Sequence, residues 1–219
     1  MASSRTIFLA IGLLLLVPIK SWSQDLNTRD NELWTGISIK YKLNKKLQFN
    51  LDQQVRMSQN MQAIRSNFFE FGARYKWNKY VSTKAQYRYT IRNDQRNVNR
   101  FTVDAIAKWK WKSADLKFSY RTRFQHAMVV YTGQPFTYLR NRLRLSYYGF
   151  KKVEPFVSYE NFFKFNFHNE FRGNRFILGC DVKLNKQIDL TLIYGIDQEM
   201  NTKNSNSRNI FSVVLAYSF

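Results

Sequence analysis

Arg140, Arg142 and Arg144 recur at every second residue in "LRNRLRLS". Alternate side chains of an extended chain share a face, so this spacing sets three guanidinium groups side by side. A guanidinium is a planar fork that pairs bidentately with carboxylate or phosphate. The chemistry on offer is recognition of anions. The same parity holds within neighbouring segments for Lys84, Arg88 and Arg92, for Lys108 and Lys110, and for Lys117, Arg121 and Arg123. Together these make a basic wall between residues 80 and 149. Lys40, Lys42, Arg56, Arg74, Lys76, Lys164, Arg175 and Lys183 extend it. Asp52, Glu70, Asp104, Glu160, Asp181, Asp189 and Asp197 fall on the same face, and acidic residues dominate around 160–197.

Other chemistries have less support. The chain has two histidines, His126 and His168, both in or beside long polar connections. A surface hydrolase needs a histidine within reach of a carboxylate or serine, and no such spacing stands out. Gly-rich phosphate loops, Cys/His metal spacing and Asp-rich calcium loops are absent. No catalytic residue, metal or cofactor is expected. The single cysteine, Cys180, alternates with Phe176, Leu178 and Val182 and reads as a packing residue. The stretch "NFFKFNFHNEF" has the aromatics to stack on sugar or lipopolysaccharide. It reads better as an aromatic girdle running into a loop.

The elements that carry these residues have period two. Leu116, Phe118, Tyr120, Thr122 and Phe124 alternate with Lys117, Ser119, Arg121, Arg123 and Gln125. Val81, Ala85, Tyr87, Tyr89 and Ile91 alternate with Ser82, Lys84, Gln86, Arg88 and Arg92. Such segments lie near 33–43, 46–57, 65–77, 80–92, 99–111, 114–125, 136–149, 152–163, 173–184, 187–198 and 208–219. They run to about ten residues or more, the length of tilted membrane-spanning strands rather than ordinary globular ones. Connections alternate between short turns ("LNKKL", "WNKY", "LNKQI") and longer polar loops ("NDQRNVN", "HAMVVYTGQP", "MNTKNSNSR"). Trp34, Trp77, Tyr80, Trp109, Trp111, Tyr147, Tyr148, Phe162, Phe163 and Phe165 cluster near segment ends, where girdles of a membrane barrel lie. The last strand, Phe211, Val213, Leu215, Tyr217 and Phe219 on one face, ends on an aromatic. It reads as the lipid-facing strand that closes the barrel. Bacterial barrels usually have even strand numbers. Eleven segments therefore imply ten to twelve strands, and twelve is expected, the extra one from residues 25–32.

Arg5 followed by "IFLAIGLLLLV" and the small-x-small site Ser21-Trp22-Ser23 predicts a cleaved signal peptide at 1–23. A single barrel domain then covers 24–219. The formal net charge is +20, or +18 without Arg5 and Lys20. Such a balance suits nucleic acid, anionic lipid or anionic solutes. Export weighs against nucleic acid, which is not expected as a partner; a soluble basic β-protein that binds it remains as a further reading.

The start "DNELWTGISIKYKLNKKLQFNLDQQVR", the hairpin "FFEFGARYKWNKYVSTKAQYRYT" and the ending "LAYSF" resemble a group of uncharacterised outer-membrane barrels of Bacteroidota, domain of unknown function 2490. The resemblance covers essentially the whole chain after residue 23. It implies an all-β, up-and-down antiparallel transmembrane barrel in the cell outer membrane. Barrels of that kind have lipid and the outer-membrane assembly machinery as partners. It implies no activity and no catalytic residues.

Two functions stay open for such a barrel. One is a narrow pore or binding site for small anionic solutes. The other is a closed structural or binding barrel with a salt-bridged interior and no transport.

Overall fold

The computed structural model describes residues 29–219 except 94, 134, 166–168 and 202–205. The expected signal peptide and His168 lie outside the described residues. Eleven strands follow one another in chain order among the described residues. They are β1 (Arg29–Lys42), β2 (Leu47–Ser58), β3 (Ala63–Lys76), β4 (Val81–Arg92), β5 (Val98–Trp111), β6 (Leu116–Val129), β7 (Pro135–Tyr147), β8 (Val153–Phe165), β9 (Glu170–Lys183), β10 (Ile188–Glu199) and β11 (Ser207–Ser218). Each pairs with its chain neighbours, and β1 pairs with β11, so the sheet closes into a barrel.

Ten of the pairings are antiparallel hairpins. The eleventh, β1 with β11, is parallel, from Arg29 opposite Ser207 to Lys40 opposite Ser218. Parity requires this. Strand direction alternates along the chain, so the first and eleventh strands point the same way. The expected twelfth strand is therefore corrected to eleven. Residues 29–32 are the start of β1 itself, and no further strand is needed for closure. The Phe219 backbone N–H donates to the Lys40 carbonyl at 2.9 Å, extending the seam to the last residue.

The short turns share one local device. The Asn44 side-chain oxygen accepts from the backbone N–H of Lys46 and of Leu47, both at 2.8 Å. Asn78 does the same for Tyr80 and Val81, and Asn185 for Gln187 and Ile188. Asparagine caps its own turn this way, which explains the repeated Asn-Lys turns of the sequence.

The pleat sorts side chains by chemistry, in the reverse sense to a soluble protein. Ser38, Asn50, Glu70, Gln86, Thr102, Asp104, Arg121, Arg123, Ser146, Glu160 and Ser212 point inward and are buried. Ile37, Leu51, Phe71, Tyr87, Phe101, Val103, Phe124, Leu143, Leu178 and Val213 point outward and are exposed. Trp77, Tyr80, Trp109, Trp111 and Phe219 are exposed at the short-turn end. Two expected girdle aromatics are corrected. Trp34 and Phe162 face the lumen, where arginines stack on both rings. Both follow the inward parity of their strands, which the position of a ring near a strand end does not reveal. Two β-bulges, at Arg56/Met57 and at Phe162/Phe163, lie toward the long-loop end.

Candidate anion site in the barrel lumen

The middle of the lumen is spanned by a belt of ion pairs. Arg123 on β6 is bidentate to Asp104 on β5, at 2.6 Å through Nε and 2.7 Å through Nη2, and also reaches Gln86 on β4 at 2.8 Å. Glu160 on β8 accepts from Arg121 on β6 and from Arg140 on β7, the latter at 3.0 Å. Arg88 on β4 donates to Glu70 on β3 at 2.7 Å, and Gln86 holds the other Glu70 oxygen. Arg144 reaches past β8 to Asp181 on β9 at 2.5 Å, and Arg175 meets Asp197 on β10 at 2.7 Å. Inward side chains converge on a concave wall, so long ones reach across to the next strand but one. Charges this far from water must be paired.

Aromatic rings fix several of these cations. The Arg144 guanidinium lies 3.5 Å from the Phe156 ring centre, and Arg88 lies 3.5 Å from that of Phe68. Phe156 fits because residue 179 is glycine. A Cβ at Gly179 would collide with the Phe156 ring tip. Arg56 is held 3.8 Å from the Trp34 ring centre, and Trp34 in turn donates its indole N–H to Glu32 at 2.7 Å.

On the long-loop side of the belt lie two adjoining cavities, of about 440 and 370 Å³. Both are lined by Arg56, Arg88, Arg100 and Arg208. Across the pair, ten described arginines face two carboxylates, Asp197 and Glu199. On the short-turn side, cavities of about 370 and 210 Å³ are lined by Lys40, Asp189 and neighbours that include Asp52, Arg74, Lys84 and Glu154.

The basic wall read from the sequence is distributed over these three levels. Arg88, Arg121, Arg123, Arg140 and Arg144 belong to the belt. Arg142 lies directly across from Glu160 on one side and Arg121 on the other. Arg92 lines the smaller of the two cavities on the long-loop side, where it donates to Gln95 at 2.8 Å. Lys84 lines a lower cavity. Lys117 pairs with Glu154, and Lys108 and Lys110 are exposed at the short-turn mouth. The acidic partners Glu70, Asp104, Glu160, Asp181 and Asp197 each meet an arginine. Asp189 lines the lower cavities beside Lys40.

The three regularly spaced arginines thus divide. Arg140 and Arg144 are struts neutralised by Glu160 and Asp181. The cations with no carboxylate partner among the described residues include Arg56 and Arg100. Arg100 was absent from the sequence-derived wall, as were Arg65, Arg208 and Glu32. Glu32 takes Arg65 at 2.5 Å and Arg208 at 3.6 Å. The missed residues stand close to strand ends, beside loops where the alternation fades. The parity of Trp34 was the available signal for Glu32, because positions 32, 34 and 38 share one face.

His126 points outward on β6 and its Nδ1 lies 2.9 Å from the Thr137 hydroxyl. Cys180 is a free thiol on the outward face of β9, with Phe176 and Leu178.

A family described as protein of unknown function (DUF2490) matches residues 31–208. The chain belongs to this family. The matched span runs from within β1 to the start of β11, so the family unit is the barrel itself. No curated protein matches the chain in sequence.

Proposed function

We propose that this DUF2490 protein is a transmembrane barrel of the bacterial outer membrane that draws small anionic solutes into a basic lumen, as a narrow pore or binding site. The observation that carries the reading is the arginine-lined space above the ion-pair belt, where Arg56, Arg92 and Arg100 have no carboxylate partner among the described residues and the other seven lining arginines are ion-paired. A surplus of fixed positive charge in a low-dielectric enclosure concentrates anions and repels cations.

The membrane part of the proposal has its own support. Strands of 12–14 residues, rising about 3.3 Å per residue at a tilt of about 40°, span roughly 30–35 Å, enough to cross a hydrocarbon core. Their outer faces carry Ile37, Leu51, Phe71, Val103, Leu143 and Val213 without cover. A protein in water rarely leaves so continuous an apolar surface open. The expected leader supplies the export route.

Reconstitution in planar bilayers tests the reading. Anion-selective reversal potentials in a salt gradient are expected, with small unit conductance because the belt narrows the lumen. Cation selectivity overturns the reading. The belt also favours the second function, a closed barrel that binds without passing solute. That function predicts no conductance from the parent protein and retained binding of anions.

A further inference from the structure

Three arginines of the upper lumen, Arg56, Arg88 and Arg100, keep nitrogens with no acceptor among the described residues. Arg56 on β2 has no carboxylate partner among the described residues. Its Nε donates to Gln54 at 3.0 Å and its guanidinium rests on Trp34. Arg100 on β5 makes no ion pair among the described residues, and its Nε is buried without a hydrogen-bond acceptor. Arg88 on β4 uses its Nε for Glu70, which leaves its terminal nitrogens unassigned. Arg88 and Arg100 also sit directly opposite each other in the β4–β5 ladder. Like charges in that position repel and destabilise the sheet. All three line both upper cavities.

Such an arrangement is unfavourable on its own and favourable around a multivalent anion. Burying an unpaired cation and an unmet N–H costs free energy, which a bound oxyanion offsets. The shape of the anion follows from the directions of approach. A carboxylate offers two oxygens in one plane and takes at most two guanidiniums in this lumen, as Glu160 takes Arg121 and Arg140. A terminal phosphate offers three acceptor oxygens around a tetrahedron and carries close to two charges. Three guanidiniums from three strands match the second. Stacking of Arg56 on Trp34 and of Arg88 on Phe68 fixes two of the forks in advance, so little ordering entropy is lost on binding. The enclosed volumes suit one small-molecule ligand.

We infer that Arg56, Arg88 and Arg100 form a binding site for the phosphate group of a small phosphorylated solute that enters from the long-loop end. The inference rests on the anion-binding reading above and names its solute class.

Calorimetric titration of the purified, folded barrel with pyrophosphate tests the site, with citrate as a polycarboxylate of comparable charge. Saturable one-to-one binding of pyrophosphate is expected, with citrate about tenfold weaker or more. Arg56→Gln and Arg100→Gln each weaken pyrophosphate binding about tenfold or more, the loss of one charge-assisted contact. Neither variant strands a carboxylate, so both fold, as the mobility of unheated samples on gels will register. Lys40→Gln, the same charge change at the short-turn end, leaves affinity within about twofold. Equal binding of citrate overturns the phosphate assignment. Unchanged affinity in both arginine variants, or an equal loss in Lys40→Gln, overturns the site. If pyrophosphate fails to bind while reconstituted protein still selects anions, this inference falls and the broader reading stands. If both fail, both fall.

Discussion

At the scale of single residues, the interior is decided by which charges are paired. Asp104 is one of the most deeply buried side chains, at 1% exposure, and both its oxygens are taken by Arg123. Asp104→Asn leaves that guanidinium short of its counter-charge in a place water reaches poorly. Removing one partner of a buried pair costs about 3–5 kcal/mol. Urea or thermal unfolding of the folded barrel is expected to show a loss of that size. Glu199 is the contrasting case. It meets Arg208 at 3.1 Å but is about a third exposed, and Glu199→Gln is expected to change stability by about 1 kcal/mol or less. If the two variants lose equally, the belt is not a structural strut.

At the scale of strands, the two faces follow opposite rules. Val103 is an exposed apolar side chain in the middle of β5, between the inward Thr102 and Asp104. Arginine on the lipid face of a barrel costs about 2–4 kcal/mol near the bilayer midplane. Val103→Arg is expected to lose that much in lipid bilayers. The same change in detergent micelles, where the head can find water, should cost less. A cost of zero in bilayers argues against lipid on this face. The strand level also shows why the fold was largely legible. Ten-residue alternation and Asn-Lys turns are local signals, and the observed strands fall within a few residues of the predicted segments. Where the alternation fades, as at Glu32, Arg65 and Arg100, local signals stop, and so did the assignment of the site. Trp34 shows the same limit. A tryptophan near a strand end is compatible with a girdle or a lumen, and only its pairing with Glu32 and Arg56 separates the two.

At the scale of the molecule, an odd strand count puts the start of β1 and the end of β11 at opposite mouths of the barrel. The short turns, which carry Lys45, Lys46, Lys79, Lys151, Lys152 and Lys186, then share one mouth with Phe219. The long loops share the other. The proposed outer-membrane location makes this a test of orientation. In a Cys180→Ser background, Tyr131→Cys lies at a loop tip that is 95% exposed. A membrane-impermeant maleimide on intact cells is expected to label it. Lys79→Cys in a short turn should label only after the outer membrane is permeabilised. Labelling of both sites on intact cells would contradict a spanning barrel, and the reverse pattern would invert its orientation.

The sequence by itself determined the all-β class, the long strands, the sorting of polar and apolar faces and the short turns. Those properties come from neighbouring residues: alternation is set by the pleat, and the turns by Asn side chains bonding two and three residues ahead. Only the tertiary structure decided how the barrel closes and which charges remain unmet. Closure joins Arg29 to Ser207, almost a whole chain apart, and its parallel sense follows from counting strands around a ring. Charge balance is likewise a property of the enclosed lumen. Arg140, Arg142 and Arg144 look like the strongest anion site on one strand. Two of them are cancelled by acids from β8 and β9, and the unmet charge falls instead to Arg56 and Arg100, on strands that do not touch.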